Sequence, residues 1–255
     1  MNNLILFQMW SGTRYELIEK HEFYVSQAKS RLLEQFTDEA ISKEADLVAD
    51  ESWEASGRNF NPDHDDPGDN AENAYQSGVW RYQLLIELKD SVRLNIISGF
   101  FHQWEKSFRQ WIVDQITHWH SGEETKFTVW KANFDQLYEL LECFGWDFKK
   151  TTWFESLDSC RLVVNVYKHG DGPSLNRLEK AYPQFLVHPL AELFGKDSSL
   201  LDDKSHEHMK VGDMDLDDFA NAITQFWQQI PENVSCSQIK NLPTWLKRSI
   251  EKDKN

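Results

Sequence analysis

Cysteine is scarce in this chain. The three copies, Cys143, Cys160 and Cys236, are an odd number with no CxxC pair among them, which argues against a disulfide scaffold or a zinc knuckle and for a reducing, cytoplasmic setting. Long hydrophobic runs are missing too. No stretch approaches the roughly 20 apolar residues that span a bilayer, and the first ten residues have neither the basic leader nor the apolar length of a signal peptide. Positive charge is in short supply: 27 Lys and Arg stand against 42 Asp and Glu, for a net charge of -15. That balance argues against coating nucleic acid by bulk electrostatics, while leaving a locally basic cleft open. The glycine loops that cradle phosphates, GxGxxG and GxxxxGK[ST], are absent, as is the GxSxG elbow of many hydrolases. Alternating strand patterns are few, and no internal repeat is evident.

What remains is helical periodicity and a high tryptophan content. The 11 Trp fall mostly within helical patterns, where core packing is the ordinary use of the side chain. Tyr15, Ile18, Phe23, Val25, Ala28 and Leu32 predict a helix over about 12–35. Thr37 or Asp38 can cap a second helix to about residue 55. Residues 57–70 form a loop by composition. Asp63, His64, Asp65, Asp66 and Asp69 there do not match the calcium-loop spacing, so a solvated loop is expected. From about 71 to 119 runs the clearest apolar stripe, with a break or kink expected at Ser98-Gly99. Glu105 lies in this stripe between Phe101 and Phe108, where a carboxylate either needs a buried partner or sits at the stripe's edge and reaches water. His118 and His120 read as a polar helix end. His206 and His208, in a polar connection over 192–213, lack a third ligand for a metal. Further helices are expected from Phe134 to Phe144, over 152–169, from Ser174 to Ala181, from Asp213 or Asp215, and over 244–252. The fold class predicted is all-α, a bundle with loop insertions. Its segments are N-terminal helices over 1–56, the acidic loop 57–70, a core over 71–191, and a C-terminal connection with helices over 192–255.

The most informative stretch runs from Arg161 to Ser174. Arg161, Asn165 and His169 stand at i, i+4 and i+8 and share one helical face, drifting by about 40° per step. Leu157, Cys160, Val163, Val164 and Tyr167 make the opposite, apolar wall. Gly170, Gly172 and Pro173 end the helix, leaving His169 in its last turn, where the helix dipole favours a cation. A cation, an amide and an imidazole presented together are either a site or a well-capped helix.

An Arg, an Asn and then a His near a helix end resembles the active-site motif of HEPN domains. The early helix carrying Glu105 in Phe101-His-Gln-Trp-Glu resembles the acidic helix of that family. The resemblance covers about 75–182. It implies an all-helical, HEPN-like bundle and a metal-independent endoribonuclease without cofactor, of the growth-arrest or phage-defence toxin kind. It further implies a homodimer that takes RNA in a local cleft, with an antitoxin or defence-system protein as a further partner. In that chemistry His169 serves as acid or base for cleavage by the RNA 2′-hydroxyl, and Arg161 stabilises phosphoryl charge. Asn165 holds the imidazole or phosphate, Glu105 orients Arg161, and Lys168 supports. The alternative is a bundle that has lost catalysis and serves as a scaffold or regulatory subunit. The acidic charge and the seven residues between Arg161 and His169 favour the alternative; the shared face and the turn chemistry favour the enzyme.

Overall fold

The computed structural model describes residues 4–58, 60–188, 204–239 and 241–254. Part of the connection expected over 192–213 therefore lies outside the described residues. Among the described residues the chain is mostly helical, with one small two-stranded sheet, in line with the all-α expectation. No described helix is long and apolar enough to cross a membrane. Two compact units are present, Ser26–Ile96 and the remainder of the chain on either side of it.

In the smaller unit, α2 (Asp38–Arg58) runs antiparallel to the first part of α3 (Pro67–Thr117). Phe36, Ile41 and Leu85 form its core, and Arg81–Glu44 and Lys89–Asp38 ion pairs, each 3.5 Å, mark the register. Thr37 caps α2 through a bond from the Ala40 N–H. In the loop between the helices, the Asp65 and Asp66 carboxylates accept the N–H groups of Asn61 and Gly68. These local turns use two of the four carboxylates of residues 57–70.

The larger unit is built on aromatic packing. It holds α1 (Ser11–Ala28), whose last residues belong to the smaller unit, the second part of α3, α4 (Glu123–Lys131), α5 (Phe134–Cys143), α6 (Phe154–His169), α7 (Pro173–Ala181), α8 (Asp213–Gln229) and α9 (Thr244–Lys252). Leu216, Phe219, Ile223, Phe226 and Trp227 give α8 an apolar inner face. Phe226 sits at the centre of a ring cluster, with Phe108, Trp227, Trp104, Trp146 and Trp153 centroids 5.0–6.0 Å away. From α1, Arg14 donates to the carbonyls of Trp227, Gln228 and Ile230 and so caps the open end of α8. His21, also on α1, is buried and bonds to the Ala220 carbonyl, and burial holds its pKa below the ordinary value.

The N-terminal segment departs from the all-helical pattern. β1 (Ile5–Gln8) pairs antiparallel with β2 (Asn233–Ser235), Phe7 opposite Val234. Phe7 is fully buried against Phe144, 4.4 Å between centroids, and the indole N–H groups of Trp111 and Trp119 donate to the Gln8 and Leu6 carbonyls. Tryptophan donors thus satisfy strand groups that a two-stranded ribbon leaves open.

Of the break or kink expected at Ser98-Gly99, the break is not there: α3 is one helix of 51 residues. Gly99 serves a close approach instead. A Cβ at this position would lie 2.0 Å from the Tyr24 hydroxyl oxygen, so the missing side chain admits the tyrosine from α1 while buried Ile97, Phe100 and Phe101 carry the helix on.

His118 and His120 do end α3, and His120 has a defined partner. Its Nε2 lies 2.9 Å from Asp253, whose carboxylate also accepts the N–H groups of Glu124 and Thr125 and the Thr125 hydroxyl. Asp253, just past α9, therefore caps the first turn of α4, a favourable place for negative charge. The Thr125 hydroxyl bond and the other donors hold the Asp253 carboxyl well below the usual carboxylate range. Because the native value is depressed, the stabilisation is complete above the unfolded value of about 4 and is lost as pH falls toward the native one. Asp253→Asn is expected to melt below wild type at neutral pH, with the gap closing below about pH 4. A gap in thermal melts that widens on acidification would contradict the assignment.

The cysteines are all free. Cys160 is buried in α6, Cys143 is half-buried at the end of α5 with its thiol pushed up to about 11 by burial, and Cys236 is exposed just after β2.

Candidate functional site

Helix α6 forms as the sequence pattern requires. Leu157, Cys160, Val163, Val164 and Val166 are buried and the polar face carries Arg161, Asn165 and His169. Gly170, at φ +68°, closes the helix by donating to the Val166 carbonyl, and Pro173 opens α7 as its first residue.

The shared face does not bring the arginine and the histidine together. Eight residues of helix separate their Cα atoms by about 12 Å along the axis. Arg161 turns toward the helix N-terminus, donating from Nε and Nη2 to Asp158 Oδ1 at 2.9 and 2.7 Å. Tyr182, after α7, donates its hydroxyl to the other Asp158 oxygen at 3.2 Å. The Arg161 side chain is only 10% exposed, and its guanidinium carbon lies 5.7 Å from the Phe134 ring centroid. Burial lowers the pKa of Arg161, but Asp158 and then Tyr138 outweigh it and hold the group above its ordinary value. Burial, followed by Asp158, pushes the Tyr182 phenol well up.

Glu105 has a different arginine. Arg109, one helical turn on, binds Glu105 Oε1 through Nε and Nη2 at 3.0 and 2.7 Å, and His102 Nδ1 stands 3.5 Å from the other oxygen. Arg109 also donates from Nη1 to the Val129 and Ala132 carbonyls, both at 2.8 Å, and so closes the C-terminus of α4. Its guanidinium carbon lies 5.8 Å from the same Phe134 ring. Two arginines, each with its own carboxylate, thus meet one aromatic ring. The expected pairing of Glu105 with Arg161 is replaced by two ion pairs local to their own helices.

At the other end of α6, His169 and Lys168 are exposed and Asn165 is half-buried. His206 lies beside Gly170: a Cβ on that glycine would be 3.7 Å from the imidazole. Asp171 accepts both the His206 N–H, at 2.8 Å, and its ring Nδ1, at 3.0 Å, which lowers the Asp171 pKa. His208 and His188 follow, with rings 4.6 Å apart, across the bridge that joins Leu186 to Met209. Among the described residues no group of three or more His, Cys, Asp or Glu side chains has metal-binding geometry.

Asp158, Tyr182, Arg109, Asp171 and His206 were not legible as site residues. Two of them carried a signal: Asp158 is three residues before Arg161, and Arg109 four after Glu105, the spacings at which helical side chains meet. Comparison with known proteins finds no matching family model, no matching curated protein and no matching solved structure.

Proposed function

We propose that this chain is a non-catalytic, HEPN-like helical protein that acts by binding a protein partner as a scaffold or regulatory subunit. The observation that carries this reading is the state of Arg161. Its guanidinium is bound to Asp158, covered by Phe134, and directed away from His169. An arginine in that position cannot meet a phosphoryl group held at His169 without first giving up a largely buried ion pair. The acidic net charge agrees, since a bulk field of this sign repels RNA.

A second reading, the metal-independent endoribonuclease toxin acting as a homodimer, is favoured by one observation. His169 is exposed, and the His206–Asp171 pair next to it supplies an oriented imidazole at the same helix end. Purified wild-type protein and His169→Ala, each incubated with total RNA in EDTA, separate the two. The scaffold reading expects intact RNA with both proteins, and the same growth when either is expressed in bacteria. RNA cut by wild type in EDTA and spared by His169→Ala would replace it with the ribonuclease.

A further inference from the structure

The smaller unit exposes much of its apolar surface. Tyr75 is 64% exposed and Tyr82 40%, seven residues apart on one face of α3. Between them and α2 lies an open groove of about 230 Å³. Its floor is made of the small residues Ala45, Ala49, Gly78 and Val79, and the two tyrosines wall it on the α3 side. Gly78 sets the depth. A Cβ there would stand 3.0 Å from the Ala49 Cβ and 3.1 Å from the Ala45 carbonyl oxygen, so the helices approach backbone to backbone and leave the tyrosines standing above them.

Charge identifies the occupant. Asp46 lines the groove on the α2 side, and Asp50 joins it, one turn on, in the adjoining surface channel along α2. Neither makes an ion pair among the described residues. Along its whole length α2 carries seven acidic and two basic residues. A second copy of this chain would bring the same acidic helix against itself, a like-charge contact that opposes association. The basic C-terminal helix α9 is engaged elsewhere, packed on α4 with Lys252 paired to Glu124.

We infer that the α2–α3 groove receives a basic amphipathic helix of a partner protein. Small or aliphatic side chains of that helix enter between Tyr75 and Tyr82, and its Lys or Arg residues meet Asp46 and Asp50. This is the helix-in-groove mode, with tyrosines as anchors and carboxylates setting orientation. The inference extends the partner-binding reading, yet its test is separate. RNA cleavage would remove that reading and leave the groove standing, whereas failure to bind with RNA uncut removes the groove alone.

The probe is a fluorescent helical peptide of about 18 residues, five turns, with Leu and Ala on one face and Lys on the other. A control peptide carries Glu in place of Lys. Anisotropy titrations are expected to show saturable binding of the Lys peptide, weakened by salt, and none of the Glu peptide. Tyr75→Ala/Tyr82→Ala, at exposed positions that leave the fold intact, is expected to weaken binding by at least about tenfold. Asp46→Lys/Asp50→Lys should weaken it by about tenfold, while reversing the exposed Asp218 and Glu139 of the larger unit changes it little. The inference is overturned if the Lys peptide does not bind, if the Glu peptide binds equally, or if the two charge reversals have the same effect. It is also overturned, in favour of self-association, if sedimentation finds a dimer that the tyrosine substitutions dissociate.

Discussion

Arg161→Ala should cost the fold about 3 kcal/mol, because it strands the Asp158 carboxylate at a mostly covered site and removes one of the two cations at the Phe134 ring. For a unit of this size that is a fall of about 6–12 °C in melting temperature. Arg161→Lys should rescue little. An ammonium cannot present the two parallel donors that Asp158 Oδ1 receives, nor stack a planar face on the ring. The double change Asp158→Leu/Arg161→Met tests whether the pair is structural. Replacing both charges with apolar groups of similar volume should recover most of the loss, since a desolvated pair contributes little beyond what good packing does. A double variant as unstable as the single one would mean that Arg161 has a further partner. Arg161→Ala at wild-type stability would mean that the arginine is held free for another purpose, and would reopen the catalytic reading.

The second large effect is expected at Phe226. Its ring touches five other aromatic side chains and is itself 1% exposed, so truncation leaves a cavity lined by rigid rings that cannot collapse to fill it. Phe226→Ala should cost about 3–5 kcal/mol and remove much of the near-ultraviolet circular dichroism that ordered tryptophans produce. Phe226→Leu should be intermediate. The measurement is a denaturant titration followed by both near- and far-ultraviolet signals. Coincident transitions with little loss of stability would place the core's weight elsewhere, on Phe7 or Phe219.

Much of the helical architecture was legible because the apolar period is strong where burial is complete. The stripe from Phe100 to Ile116, the α5 run from Leu137 to Leu141 and the α8 face from Leu216 to Trp227 each follow the helical repeat. Three features were not legible, for separate physical reasons. Ser98-Gly99 carries the composition of a kink, but composition does not distinguish a weak backbone from one cleared for a neighbour such as Tyr24. α4 is too short and too polar to show a stripe, and it is held by groups distant in sequence, Asp253 at one end and Arg109 at the other. The limits of the smaller unit fall inside α1 and α3, within uninterrupted helix, and while Gly99 stands three residues past the second limit, no glycine or proline lies near the first.

The site was legible in its ingredients and not in its pairing. Arg161, Asn165 and His169 do share a face of α6, and Glu105 does have an arginine, yet the partners are the nearest along each helix. Periodicity places a side chain on a face; it does not say toward which end of the helix a long side chain leans, and that lean separates Arg161 from His169 here.

The unequal settings of the three cysteines have a practical consequence. A thiol reacts as its thiolate, so the buried Cys160 is shielded and Cys143, pushed up to about 11, is almost wholly protonated at neutral pH. Cys236 alone of the three is exposed. A maleimide dye offered to the native protein would therefore mark the end of the β1–β2 ribbon without any engineered site. The wild-type chain comes with its own address for single-position labelling.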